Sequence, residues 1–139
     1  MLVNTIRLYI IHVSAIAAGI LGSYYSGLDI MTALVYLLII AWEARRAGSI
    51  SFRNNIITAC VWQAPGIFFA VLCISSFDPM GLYEYAIFIL QFWFTPLLGL
   101  LSLAGINSYF DKPLYYYLLI CLPFISVLYY LGAAGTSRR

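Results

Sequence analysis

The sequence predicts an all-α protein, a polytopic bundle of transmembrane helices, and three observations predict it. Five long apolar runs occupy most of the 139 residues, only 9% of residues are charged against about 25% in ordinary globular domains, and Tyr and Trp gather at the ends of the runs. With 64% hydrophobic residues the chain has too few hydrated groups to cover itself in water, so lipid is the solvent it is built for. A spanning helix needs roughly 20 mostly apolar residues, at about 1.5 Å each against a hydrocarbon core of about 30 Å. The runs at residues 5–24, 28–43, 55–74, 82–104 and 113–131 meet that need as five short spans of a single transmembrane domain, residues 1–139. A closed barrel would show strands of about 10 residues with alternating polarity, and the runs are twice that length.

The first run has the grammar of a secretory signal, with Arg7 before an apolar core and Ala17, Ala18, Gly22 and Ser23 after it. His12 interrupts that core, so the segment reads as the first spanning helix. Ala15, Gly19 and Ser23 recur every four residues, as do Ala18 and Gly22. This makes a small-residue face on which another backbone, in the same bundle or in a second protomer, approaches closely. The second run is the weakest, because charge is absent only over residues 30–42, between Asp29 and Glu43. With its interfacial ends it reaches roughly 24 Å, enough where the bilayer thins; as a re-entrant or interfacial segment it would leave four spans.

The third and fourth runs echo each other. One reads Trp62-Gln63-Ala64-Pro65 and the other Gln91-Phe92-Trp93-Phe94-Thr95-Pro96, each with Trp three residues before a proline and a Gln nearby. Consecutive spans run in opposite directions, so the two would form a miniature inverted pair of the kind transporters use at binding sites. The fifth run carries Pro123 midway. Proline lacks an N–H and pushes away the carbonyl four residues earlier, which frees the carbonyls of Val61, Phe92 and Leu119. In lipid those groups need partners, so Pro65, Pro96 and Pro123 predict kinked helices, either with curvature alone or with a cavity beside the kinks.

Lys and Arg near membrane ends stay in the cytoplasm. Five spans with the N-terminus inside place Arg7, Arg45, Arg46, Arg53 and Lys112 on the inner face and only Arg138 and Arg139 outside. The expected topology is therefore N-in/C-out in a cell membrane, with loop 43–55 cytoplasmic; four spans would bring the Arg pair inside. Glu43 belongs to the same inner face, with Arg7 its expected partner and Arg45 and Arg46 competing. Tyr24, Tyr25, Tyr83, Tyr85, Tyr129 and Tyr130 mark the outer boundary of this arrangement, and Trp42, Tyr109 and Tyr115 to Tyr117 the inner one.

Counted from the inner end, His12, Gln63 and Gln91 fall at similar depth, between about 10 and 16 Å, and form a polar layer with Trp62 and Trp93. His12 is the only side chain there that titrates near neutral pH. It either gives a hydrogen bond to a carbonyl or amide, or lines a proton-coupled site. Gln63 and Gln91 are either interhelical adhesive or the grip on a neutral polar solute or a lipid head group.

Catalysis finds little support. One His and the scattered Cys60, Cys73 and Cys121 supply no metal-ligand spacing, there is no paired carboxylate inside a run, and Asp29, Asp78 and Glu84 fall toward the outer face. No catalytic residue, metal or cofactor is expected. The arginines of loop 43–55 attract anionic lipid by about 1 kcal/mol each and offer a docking surface, while nucleic acid is not indicated. Two functions remain: a small transporter or ligand-binding bundle for a neutral or amphipathic solute or lipid, or a non-catalytic structural or accessory subunit of a larger membrane complex. Either is compatible with a homo-oligomer.

Overall fold

The computed structural model describes residues 2–25, 27–48, 51–75, 81, 83–104, 108–109 and 112–136. The expectations for Asp78, Arg138 and Arg139, and for the side chains of Tyr83, Glu84, Tyr109 and Lys112, lie outside the described residues. The described chain is a helical bundle: α1 (Leu2–Gly22), α2 (Leu28–Ala47), α3 (Phe52–Ile74), α4 (Tyr83–Trp93), α5 (Thr95–Leu101), a 3-10 turn (Ser102–Ala104) and α6 (Leu114–Thr136). Between α5 and α6, Ser108–Tyr109 pairs antiparallel with Lys112–Pro113.

Three of the helices, α1, α3 and α6, are long and apolar enough to cross a membrane. Helix α2 has comparable length, 20 residues, but Asp29 lies in its first turn and Arg45 and Arg46 in its last. Those charges complement the helix dipole and lower the mean hydropathy of the segment. Gly27, at φ +86°, starts α2 from a left-handed turn that favours glycine. At the other end Asn55 of α3 donates its amide N–H to the Ala47 carbonyl (3.3 Å), so the start of α3 satisfies a free carbonyl at the end of α2.

The directions of the helices follow from which residues meet. His12 of α1 touches Tyr36 of α2, and Gly22 lies beside Leu28 and Asp29, so α1 and α2 are antiparallel. Tyr9 meets Val61 and His12 meets Trp62, so α1 and α3 are parallel. Helix α6 runs against α3: Tyr116 reaches the carbonyl of Cys73, and Tyr130 packs on Trp62. It therefore starts beside the end of α3 and finishes at the end of the bundle where α1 begins, called here the near end.

This direction overturns part of the boundary reading. Tyr130 is buried against Trp62 and the hydroxyl of Tyr129 donates to the Leu37 carbonyl (3.0 Å), so neither ring belongs to an outer belt. Tyr115 to Tyr117 begin α6 at the far end of the bundle, not the near one.

The fourth apolar run accounts for the change of direction, because it does not cross the bundle. Helix α4 descends along α3 until Trp93 meets His12 and Gln63 at mid-depth. The chain then turns at Phe94 (φ −94°, ψ 17°), and Pro96 becomes the second residue of a new helix rather than a kink in an old one. Helix α5 heads back: Thr95 lies against Gly19, and Gly99 against Asp29 and Ile30, all nearer the far end than His12 is. At Gly99 the approach is so close that a Cβ would stand 2.6 Å from the Asp29 carbonyl carbon. Of the small residues of α1, Gly19 lies against α5 and Gly22 against α2, whereas Ala18 and Ser23 are exposed.

Candidate functional site

His12 stands where α1, α2, α3 and α4 converge, and it is wholly buried. Its Nε2 lies 2.9 Å from the carbonyl oxygen of Trp93, which only accepts, so Nε2 carries the proton and donates. Nδ1 is then the acceptor, 2.6 Å from the Tyr36 hydroxyl, which donates to it. This is the neutral imidazole with both nitrogens satisfied. The ring lies 4.3 Å centroid to centroid from Trp93, tilted by 38°, with Tyr36 and Trp62 meeting it edge-on at 5.6 and 5.9 Å.

The turn at Phe94 explains why a histidine sits there. The amide of Leu97 bonds to the Phe94 carbonyl instead of reaching back four residues, which leaves the Trp93 carbonyl to His12. The Phe92 carbonyl accepts from the Thr95 hydroxyl at 2.7 Å. In α3 the carbonyl displaced by Pro65 belongs to Val61, and it accepts from the Tyr9 hydroxyl at 2.6 Å. The proline arithmetic thus names carbonyls that find side-chain partners at Val61 and Phe92, and it misses Trp93, whose release comes from the turn.

The structure brings His12, Trp62, Gln63 and Trp93 together and leaves Gln91 out. Gln91 and Trp93 are two residues apart and so point about 200° apart around α4; Gln91 is hydrogen-bonded to Tyr115 of α6 instead. Gln63 accepts from the Trp93 indole at 3.4 Å, beside Gly66, where the absence of a side chain admits the Phe94 ring. Glu43 pairs with Arg46 one turn along its own helix, at 3.9 Å, and not with Arg7. Arg46 is exposed, so this pair adds little stability. Arg45 and Arg53 are exposed and Arg7 half-buried. Pro65 and Pro123 lie inside continuous helices.

Two donors in this cluster have no acceptor among the described residues: the indole N–H of Trp62 and the amide nitrogen of Gln63, both buried. Each such group costs about 1–3 kcal/mol away from water. Trp62 is among the residues lining a half-open cavity of about 260 Å³ between α2, α5 and α6, with Tyr36, Leu97, Leu101, Ile125 and Ser126. A larger groove of about 440 Å³ lies between α1 and α2, lined mostly by apolar side chains such as Ile10, Ala18 and Val35 and also by Ser14, Thr32 and Tyr36.

Tyr36, Tyr9, Ser126 and Tyr130 were not legible as site residues. Tyr36 did leave a signal, a lone hydroxyl in the centre of an apolar run, of the same kind that drew attention to His12. No group of three or more metal-ligating side chains occurs among the described residues. No family model, curated protein or solved structure matches the chain.

Proposed function

We propose that this chain is an integral membrane protein that holds a small neutral or amphipathic molecule, a solute or a lipid, in the cavity between α2, α5 and α6. The observation that carries the reading is a mostly apolar cavity of about 260 Å³ between these helices, whose lining also includes Trp62, Ser126 and Tyr129. A concave, mostly apolar site with a few polar groups is the usual form of a small-molecule site.

In the bilayer, α1, α2, α3 and α6 are the crossing helices and α4–α5 is a re-entrant pair entering from the far end. Non-helical backbone at membrane depth is tolerated where protein covers it, as α1 and α3 cover the Phe94 turn. Charge supports this arrangement: Arg7, Arg45, Arg46 and Arg53 share the near end, and with α6 finishing there the Arg138–Arg139 pair that follows it in sequence no longer has to be exported. The near end is then cytoplasmic, with its arginines against anionic lipid.

Gentle purification followed by mass spectrometry of the extract tests the function. A small molecule or lipid retained by the native protein and depleted at least several-fold by Ser126→Phe, which fills the cavity, is the expected result. Equal retention by both proteins, or nothing retained by either, overturns it. Stoichiometric recovery of another membrane protein with an empty cavity would favour the accessory-subunit reading, which uses the α1–α2 groove as packing surface.

A further inference from the structure

We infer that the α2–α5–α6 cavity and the α1–α2 groove are two chambers of one path for an uncharged molecule from the bilayer, with the Tyr36 ring as the partition between them and the Tyr36–His12 hydrogen bond as its latch. The inference rests on the functional reading above, which concerns the cavity alone, and adds a second chamber and the residue that controls passage.

Among the described residues Tyr36 alone lines both spaces. Its place on α2 explains this. At about 100° per residue, with Tyr36 at zero, the groove residues Thr32, Val35 and Ile39 lie between about −40° and −100° around the helix, and the cavity residues Leu37 and Ile40 between about +40° and +100°. The ring stands at the seam and points inward, since it is buried and its hydroxyl reaches His12 where four helices converge.

One side-chain hydrogen bond holds it there. The Tyr36 hydroxyl donates to Nδ1 of His12 at 2.6 Å, while Nε2 fixes the imidazole to the Trp93 carbonyl, so the latch is anchored on the Phe94 turn. A tyrosine in a helix has two favoured χ1 wells, at about 180° and about −60°, so a ring released from His12 has a second position open to it. The spaces of about 440 and 260 Å³ on either side give it room. Once the ring turns, the chambers are continuous.

Both chambers open on lipid, at different flanks. Ile10, Met31 and Val35 are exposed on the α1–α2 flank, and Ile125 and Tyr129 on the outside of α6. Among the described residues no Asp, Glu, Lys, Arg or His lines either space, so an ion would lose its hydration with nothing in exchange. The cargo is therefore uncharged, and it enters on one flank and leaves on the other without touching either aqueous end.

A tethered chain tests the partition without any native ligand. With the native thiols replaced by alanine, Ser14→Cys in the groove is coupled in detergent to an alkyl chain ending in a diazirine, the protein is moved to nanodiscs and irradiated, and mass spectrometry maps the insertion sites. In the otherwise native protein insertion is expected mainly on α1 and α2, with little at Leu97 and Ile125 of the cavity. Tyr36→Phe, which keeps the ring and removes the latch, is expected to raise insertion at Leu97 and Ile125 about threefold, the weight of one interhelical hydrogen bond in a membrane. Tyr36→Ala, which removes the partition, is expected to raise it further. Equal cavity insertion with Tyr and Ala at position 36, or none with either, overturns the partition. A rise with Ala but not with Phe overturns the latch. Cavity insertion that always accompanies marks on Leu34 and Leu38, which are exposed on α2, means the chain went around the helix and overturns the path. Should the native protein retain no small molecule while the tethered chain behaves as expected, the functional reading fails and the partition stands.

Discussion

Helix α3 and the α4–α5 pair carry the same Trp-x-x-Pro spacing and treat it in opposite ways. Around Pro65 the helix continues, because one displaced carbonyl, that of Val61, is capped by the Tyr9 hydroxyl from α1. Around Pro96 the helix stops, because Thr95 turns its hydroxyl onto the carbonyls of Gln91 and Phe92, and the Trp93 carbonyl is drawn off by His12. Ser and Thr hydroxyls compete with helical hydrogen bonds in this way. The comparison teaches that a proline bends or breaks a helix according to which neighbouring donors take up the released carbonyls, and that a turn buried inside the bundle needs more of them.

The largest effect that would break the comparison is topological and all-or-none. With the native thiols replaced by alanine, single cysteines at Ser51, Ser108 and Thr136 are tested with a membrane-impermeant thiol reagent. Ser51→Cys and Thr136→Cys are expected to label from the same side and Ser108→Cys from the other; labelling of Ser108→Cys together with Ser51→Cys, with Thr136→Cys on the opposite side, restores five crossings. Next in size is Gly99→Ala, whose methyl has no room against the Asp29 backbone. Thermal unfolding in detergent is expected to show a loss of about 3 kcal/mol, at the upper end of overpacking costs. Gly132→Ala, with nothing within 4 Å of the added methyl, is expected to be neutral or slightly stabilising.

His12→Leu keeps roughly the volume but strands the Trp93 carbonyl and the Tyr36 hydroxyl, so a loss of about 2 kcal/mol is expected in the same assay. A loss within error would mean that the turn at Phe94 holds without α1. The smallest loss is that of Tyr9→Phe. Removing one hydroxyl from the Val61 carbonyl is expected to cost about 0.6 kcal/mol, the typical value of an interhelical hydrogen bond in a membrane, and to leave α3 continuous in its far-ultraviolet dichroism.

Much of the molecule was legible in the residues. Length and apolarity identify α1, α3 and α6, the charges around the second run mark α2 as the weakest, and depth counting brings His12 to Gln63 and the two tryptophans. What the residues did not show is that the fourth apolar run is two helices. The break comes with the local competition of Thr95 for backbone carbonyls and the close approach of Gly99 to Asp29, neither of which alters hydropathy. Once the direction of α6 was misread, Tyr129 and Tyr130 were assigned to a belt. Gln91 failed for a simpler reason: equal depth does not imply a shared face.

The turn at Phe94 also has a consequence for biogenesis. During synthesis α4 and α5 expose one carbonyl, that of Trp93, whose donor is a ring made much earlier on α1, and the Phe94 turn is covered only once α1 and α3 already stand side by side. It is a late arrival that docks into a prepared wall, and the order of synthesis, α1 and α3 before α4, supplies that wall in time.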